Sequence, residues 1–230
     1  MELRKQIFYI PLFNLLILLF DVIPGHDLGV AIIVLTILIR LVFFPLSIKA
    51  QRSQRAINLL APKIKEIKEK FQKDQAAQGA AIMALYKEHG VNPVAGCLPL
   101  LIQLPILIAL YQVFIAGLNV ESLSLLYPFI PNPGTINPFF LGVIGITNPN
   151  RWIAVLAAAM QFVQSRQSLA YMNAAGSPDP RAAMLNKQMM YLLPAFIIVI
   201  GWNLPAGLLL YWVTTTAASL VEQWYLKKTS

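Results

Sequence analysis

The chain has 230 residues, of which 57% are hydrophobic and only 12% are charged, and its formal net charge is +8. Soluble domains carry charged residues at about 25%, so this composition excludes an ordinary soluble enzyme and indicates a protein that crosses a membrane several times. The single Cys97 excludes an internal disulfide and a cysteine-rich metal site. His26 and His89 lie far apart in different loops, so neither a metal site nor a catalytic site built on histidine is expected.

The first segment, residues 1–27, is apolar but short, and the sequence alone leaves its position open. It lacks the small-residue cleavage site of a signal peptide. Basic residues near its start would suit a sixth span. Pro11, Asn14 and Asp21 instead favour an amphipathic helix that lies in the membrane interface, where polar groups reach the lipid headgroups. We expect this N-terminal interfacial helix.

Residues 28–48 form the first clear span, and Arg40 lies deep inside it. Its depth is roughly 20 Å from one end and about 14 Å from the other. A cation at that depth costs roughly 3 kcal/mol and usually faces a bundle interior or a wet cavity. Thr36, one turn earlier, shares the helix face. These two residues predict a cationic, wet site inside the membrane.

The alternative for Arg40 is a structural role, as the partner of a carboxylate on another helix. No other apolar segment offers an acidic residue at mid-depth, and Glu222 falls near the end of the last span. We therefore favour the functional interpretation of Arg40.

Residues 49–94 are polar and basic and predict a cytoplasmic two-helix hairpin. Apolar residues from Ile57 to Phe71 recur at alternating spacings of three and four, which is typical of a coiled-coil seam. Pro62 suits a helix break or a first turn. A solvated spacer and a surface that captures an arriving chain or lipid headgroups fit the hairpin about equally well. The lysines that would recruit such a partner are Lys63, Lys65, Lys68, Lys70 and Lys73.

Four further apolar segments complete the prediction of an all-α membrane protein with five transmembrane helices. The predicted spans are residues 95–118, 152–170, 188–202 and 206–226, separated by loops at 119–151 and 171–187 and followed by a short basic tail at 227–230. The fourth span covers only about 21 Å. Because the apolar core of a bilayer is roughly 30 Å thick, this short span predicts local thinning.

The distribution of Lys and Arg predicts the orientation of these spans. Nine lie in the hairpin segment, three in the loop 171–187 and its borders, and two in the tail, whereas the opposite side has Arg151 alone. The hairpin, that loop and the C-terminus are therefore expected in the cytoplasm, and the loop 119–151 outside it. The positive charge is mostly a topology signal, although contact of the hairpin with ribosomal RNA stays open, and no DNA binding is expected.

Four runs of sequence resemble the YidC family of membrane protein insertases. They are TILIRLVFFPLSIKAQRS, APKIKEIKEKF, MALYKEHGVNPVAGCLPLLIQLPILIALY and NLPAGLLLYWV. Together they combine an intramembrane arginine, a basic hairpin and the signature NP-x-x-GC-x-P-x-x-x-Q-x-P in the right order, and the resemblance covers nearly the whole chain.

The resemblance implies a five-helix core with a hydrophilic groove that opens to the cytoplasm and the lipid and is closed on the outer side. By that resemblance Arg40 is the cation of the groove, Thr36 and Gln103 line it, and Tyr211 and Trp212 contact the incoming substrate helix. The chain lacks the large periplasmic domain of long family members before its first span, and its tail is too short for the basic ribosome-binding extension of some members. Ribosome docking through the tail is therefore not expected.

The function expected from the resemblance and the charge pattern is membrane protein insertion rather than catalysis. Partners would be nascent membrane proteins and membrane lipids, with a ribosome and a Sec-type translocon left open, in the bacterial cytoplasmic membrane. No cofactor, metal or nucleotide is expected, since no phosphate-binding glycine loop is present. The alternative is a small anion channel or transporter centred on Arg40, which would need a continuous pore or a repeat-related site, and the sequence offers neither.

Overall fold

The structure, a computed structural model, describes residues 5–72, 74–92, 98–116, 120–174 and 180–229. It is mostly helical, as predicted. Lys73 and residues 93–97 of the signature lie outside the described residues. One helix in the described part, Leu28–Leu59, is long and apolar enough to cross a membrane by length and composition; shorter apolar helical stretches are Gln6–Val22, Gln103–Ile115 and Met190–Gly201.

The N-terminal segment folds as a π-helical turn, Lys5–Tyr9, that leads into helix α1, Ile10–Val22. Asn14 in this helix is only 1% exposed, and its position corrects the prediction that it faces lipid headgroups. Its side-chain amide donates to the carbonyl of Leu125 at 3.1 Å, and its Oδ1 accepts from the amide of Tyr127 at 2.6 Å. Asn14 therefore fastens α1 to the loop that follows the second predicted span.

Helix α2, Leu28–Leu59, starts where Asp27 accepts a hydrogen bond from the amide of Val30 at 2.9 Å. It runs eleven residues past the predicted end of the first span at residue 48. Hydrophobicity ends there, but the following Lys, Gln and Arg residues are good helix formers, so the helix continues into the polar segment. Pro45 lies inside it.

Two short helices follow α2, and they contact each other. Helix α3 is Ala61–Lys70, with Pro62 in its first turn as predicted, and helix α4 is Gln75–Glu88. Asp74 accepts from the amide of Ala77 and so starts α4. At the open end of the pair, Lys63 Nζ lies 3.1 Å from His89 Nε2, which keeps the entry and exit of this segment close together.

Helix α5, Leu98–Ala116, and the one-turn helix α6, Val120–Leu123, lead into a loop with one small antiparallel ladder. Its strands are β1, Phe139–Phe140, and β2, Ile144–Gly145. We call the end of the helix bundle that this loop covers the loop end.

The last three helices are α7, Arg151–Ala174, α8, Pro180–Gly201, and α9, Ala206–Thr229. Helical residues therefore occupy much of the segment 171–187 that was predicted as a loop. The prediction followed hydrophobicity, but the polar residues before Met190 extend α8 to 22 residues, about 33 Å. Only its apolar part, Met190–Gly201, is short, so the helix itself gives no support for a thinned bilayer.

Helix α9 lies at the centre of the bundle, where it packs against α2, α5 and α7. Its first turns are buried, and Leu209 and Tyr211 are almost fully enclosed. The main apolar core joins α9 to α1, α2 and α5 near the loop end. The polar residues considered below lie farther along α2 and α9, beyond this core.

Candidate functional site

Arg40 on α2 forms an ion pair with Glu222 on α9. The distance between Arg40 Nη2 and Glu222 Oε1 is 3.1 Å, and the two side chains are 16% and 5% exposed. Arg40 Nη2 also donates to Ser219 Oγ at 2.6 Å. Arg40 therefore has the carboxylate partner on another helix that the sequence analysis gave as its less favoured alternative: α2 and α9 pack side by side, and Glu222 lies well inside a helix that continues to Thr229.

The second oxygen of Glu222 is held by neutral groups of α2. Ser47 Oγ donates to Glu222 Oε2 at 2.5 Å, and Gln51 Nε2 donates to the same oxygen at 2.9 Å. The carboxylate thus joins three positions of α2 on one helix face, at spacings of seven and four residues. This network neutralises the charge of Arg40 and satisfies both carboxylate oxygens.

A narrow cleft between α2 and α5 borders Arg40. Its polar lining consists of Arg40, Ser47 and Gln103, and the rest is apolar: Ile39, Phe43, Leu46 and Ile106. Its cavity volume is about 30 Å³, room for about two water molecules. In place of the expected hydrophilic groove, the described residues form a narrow and mostly apolar cleft with three polar groups.

Gln103 and Tyr211 join α5 to α9 beside this cleft. Gln103 Nε2 donates to the hydroxyl oxygen of Tyr211 at 2.5 Å. Tyr211 is only 1% exposed, so its ring is enclosed by the bundle here. Of the five residues expected at the groove, Arg40 and Gln103 share the cleft, and Tyr211 touches it through Gln103.

Thr36 and Trp212 lie apart from the cleft. Thr36 is 1% exposed, and its hydroxyl donates to the carbonyl of Ile32 one turn earlier, as threonines inside helices often do. Trp212 points toward α7, where its Nε1 donates to Gln161 Oε1 at 3.2 Å. Trp212 therefore lies on the α7 side of α9, away from Arg40 and Gln103.

The lysines of the segment α3–α4 have several different partners. Lys63 contacts His89, Lys65 lies 3.8 Å from Glu69, and Lys70 stands over the ring of Phe71. Lys65 and Lys70 are exposed. Lys68 contributes its carbonyl to a hydrogen bond from Gln78. The lysines of α3 thus leave a basic, solvent-facing surface on this segment.

At the loop end, the bundle is tightly closed. Asp27 Oδ2 accepts from the amide of Leu141, and a Cβ on Gly29 would lie 2.3 Å from the ring of Phe140. The first amides of α9 donate to the loop, Ala206 to the carbonyl of Asn148 and Gly207 to that of Ile146. The cleft at Arg40 is therefore separated from the loop end by packed side chains and backbone.

Sequence reasoning missed Ser47, Gln51 and Ser219 and dismissed Glu222. A usable signal exists: Arg40, Ser47 and Gln51 recur at helical spacing on one face of α2, and Ser219 and Glu222 do so on α9. Two polar stripes in apolar helices indicate that the helices face each other. Among the described residues, no group of three or more His, Cys, Asp or Glu could hold a metal ion.

Comparisons with known proteins agree on one family. Residues 19–230 match the 60Kd inner membrane protein family. A membrane protein insertase YidC of Fusobacterium nucleatum subsp. nucleatum is 35% identical over 202 residues, which cover 88% of this chain and 87% of that protein. The insertase YidC of Magnetococcus marinus is 35% identical over 203 residues, 88% of this chain but 33% of that longer protein.

A solved crystal structure of active YidC insertase, with its first transmembrane domain resolved, has a similar fold. The TM-score is 0.63 with 28% sequence identity, and the match covers 96% of this chain and 46% of that one. The chain thus spans less than half of the solved relative and about a third of the longer curated one.

Proposed function

This chain belongs to the 60Kd inner membrane protein family, and on that premise we propose that it is a membrane protein insertase. It moves nascent apolar segments, with short hydrophilic tails, from the cytoplasm into the bilayer and uses no nucleotide. Its clients are nascent membrane proteins, and its location is the bacterial inner membrane, in keeping with the family description. The transfer involves no covalent step, so the protein is not an enzyme.

The observation that carries this proposal is a partly exposed guanidinium beside a cleft that packed side chains and backbone separate from the loop end. Arg40 lies about 18 Å along α2, the helix with the length and composition of a membrane span. The loop end is sealed by the contacts around Gly29 and Gly207. Such a site can receive a polar tail from one side of the membrane and does not form a pore through it.

We propose that α2, α5, α7, α8 and α9 are the five spans and that α3 and α4 are the cytoplasmic hairpin. The excess of Lys and Arg around the hairpin and the tail supports a cytoplasmic C-terminus. The loop end then faces the outside, where Arg151 stands over the ring of Trp202 at 5.8 Å. An aromatic ring beside a cation is common at membrane interfaces.

The interfacial position of α1 stays part of this proposal. Asn14, near the middle of the apolar stretch Gln6–Val22, bonds to Leu125 and Tyr127 of the outer loop. If α1 crossed the membrane, Asn14 would lie near the middle of the bilayer, and the loop backbone at Leu125 and Tyr127 would be buried there with it. A helix that lies along the outer interface needs no such burial of loop backbone, so the bonds of Asn14 favour the interface.

In this mechanism the hairpin meets an apolar segment as it leaves the ribosome, with or without a Sec-type translocon. Entry of the client's tail widens the cleft between α2 and α5, because a cavity of about 30 Å³ has no room for a peptide segment. Arg40 then binds acidic groups of the tail. Burial of about twenty apolar residues, at several tenths of a kcal/mol each, drives the step, and the membrane potential adds roughly 2.3 kcal/mol per 100 mV for each acidic charge that moves outward.

Reconstitution separates insertion from the alternative of an anion channel. Liposomes that contain only the purified protein should insert a single-span test client without ATP, measured by protection of the client's tail from protease. The same liposomes should pass no chloride current above that of empty liposomes. A clear chloride current without any insertion would contradict the insertase proposal and support the anion channel.

A further inference from the structure

Glu222 forms an ion pair with Arg40 but does not line the cleft. Arg40, Ser47 and Gln103 reach the cleft, while Glu222 approaches Arg40 from α9 and is 5% exposed. The carboxylate therefore neutralises the guanidinium from behind, as seen from the cleft. Any acidic group of a client that enters the cleft meets a cation that already has a counter-ion.

The two oxygens of Glu222 have different kinds of partner. Oε1 contacts the charged Arg40, whereas Oε2 accepts from the neutral Ser47 and Gln51. When Arg40 shifts toward a client, Oε2 keeps both hydrogen bonds. Because a buried charge without hydrogen bonds is very costly, these two donors make the partial release of Arg40 feasible.

The guanidinium also has one N–H donor, at Nε, that makes no hydrogen bond to the described residues. Arg40 Nε is buried and has no hydrogen-bond partner among the described residues, while Nη2 serves both Ser219 and Glu222. Arginine binds carboxylates best through two parallel N–H groups. Once Arg40 turns toward the cleft, a client carboxylate can gain a bond to this Nε, which is buried at rest and which Glu222 does not contact.

We propose that Glu222 is an internal competitor for Arg40 that sets how strongly the groove prefers acidic client tails. This proposal rests on the proposed insertase function. Glu222 acts through Arg40, as a positioning residue, and it weakens the grip on acidic tails so that they are released after transfer. A merely structural ion pair would affect clients with acidic and neutral tails alike.

The test compares two single-span clients that differ only in three Asp or three Asn residues in a short N-terminal tail. A photo-crosslinking residue at Ile106, which lines the cleft, reports binding of each tail, and the readout is the acidic-to-neutral ratio of crosslinks. Glu222→Gln should raise this ratio about tenfold, within the usual range for coupled sites, and slow the release of the acidic tail. Arg40→Gln/Glu222→Gln should bring the ratio to about one. Asp21→Asn, a carboxylate-to-amide change on α1, should leave the ratio at its starting value.

An unchanged ratio in folded Glu222→Gln protein would overturn the proposal and leave Glu222 a structural partner. If Glu222→Gln does not fold, Glu222→Asp keeps the charge but shortens its reach by one methylene, and the ratio must then rise by a smaller factor; an unchanged ratio there overturns the proposal equally. Failure of the unaltered protein to insert the client with the Asn tail would instead contradict the insertase function itself.

Discussion

Arg40 and Glu222 each lie where an isolated charge would be expensive, and the 3.1 Å contact between them offsets much of that cost. A buried ion pair offsets its desolvation cost only if further hydrogen bonds satisfy both charged groups. Those bonds come from Ser47, Gln51 and Ser219. The site is therefore close to electrically neutral at rest. Its positive character toward a client depends on how readily the guanidinium exchanges one carboxylate for another.

Arg40→Ala should impair both stability and insertion, whereas Arg40→Lys should retain most of each. Removal of the cation leaves Glu222 buried without its counter-ion, which costs about 3–5 kcal/mol, and the client tail loses its partner. Lysine keeps the charge but not the planar fork. Thermal unfolding in detergent and insertion of the client with the Asp tail measure the two effects. Wild-type melting and full insertion by Arg40→Ala would contradict this account.

At the residue scale, the sequence singled out Arg40, and the family resemblance added Gln103 and its partner Tyr211, but neither gave the partners of Arg40. An intramembrane arginine is conspicuous because it violates a strong composition rule. Its partner Ser219 lies 179 positions away, and only the packing of α2 against α9 brings the two together. The hydrophobic pattern also predicted that Glu222 lies near the end of a span. That pattern does not show that α2 and α9 both continue into polar sequence.

Among the elements, the start of α9 depends on a close approach to α5 and to the loop that precedes α7. A Cβ added at Gly207 would lie 2.5 Å from Phe114 Cζ and 2.6 Å from Ile146 Cγ2. Neither ring nor branched side chain can retreat easily within the core that they share. Gly207 therefore allows the seal at the loop end.

Gly207→Ala should lower the free energy of unfolding by about 1–3 kcal/mol, because the added methyl group overpacks the core. The loss should appear as a lower melting temperature in detergent. The sign is informative, because alanine within a helix would otherwise add up to about 1 kcal/mol of stability. Gly145→Ala is the matched control, since its nearest neighbour would be Asn148 Nδ2 at 3.4 Å, an ordinary contact. Equal melting temperatures for the two variants would mean that the packing around Gly207 has room for a methyl group.

Replacement of residues 62–88 by a short Gly/Ser linker should abolish insertion and leave the rest of the fold intact. The linker can be short because Lys63 and His89 are in contact, and α3 and α4 pack on each other. Protease protection of the client and thermal unfolding of the protein give the two readouts. Insertion at the full rate would reduce the hairpin to a spacer.

A second hairpin variant separates charge from shape. Lys63, Lys65, Lys68 and Lys70 changed together to Gln keep both helices but remove the basic surface of α3. If lipid headgroups or nascent chains are recruited by charge, this variant should lose most of the insertion that the deletion loses. Insertion at the wild-type rate would assign recruitment to the apolar side of the hairpin instead.

At the scale of the whole molecule, the predicted mostly helical fold is confirmed, while the lengths of its helices differ from the predicted spans. Hydrophobic runs reveal where lipid would be, and α2 and α8 both continue beyond those runs. Propensity favours continuation wherever no Gly or Pro intervenes. The cover at the loop end was not predictable, because it is built from Asn14, Asp27 and glycines whose partners are distant in sequence.

The orientation can be tested with single cysteines in a Cys97→Ser background. Val143, in the outer loop, is 80% exposed, and Lys87 is exposed on the hairpin. In intact cells, a membrane-impermeant maleimide should label Val143→Cys at once and Lys87→Cys only after permeabilisation. The reverse pattern would invert the topology and remove the cytoplasmic entry to the cleft.

Pro45 lies between Arg40 and Ser47 on α2, and Glu222 is bonded on both sides of it. A proline inside a helix removes one backbone hydrogen bond and creates the point where the helix bends most easily. The fourteen residues that follow Pro45, up to Leu59, form an arm of about 21 Å that carries the hairpin. A pull on the hairpin by an arriving chain would bend α2 at this point and draw Ser47 away from Arg40. Because Glu222 is bonded on both sides of the proline, such a bend would lengthen its contact with either Arg40 or Ser47, and movement of the hairpin would then be coupled to the release of the guanidinium.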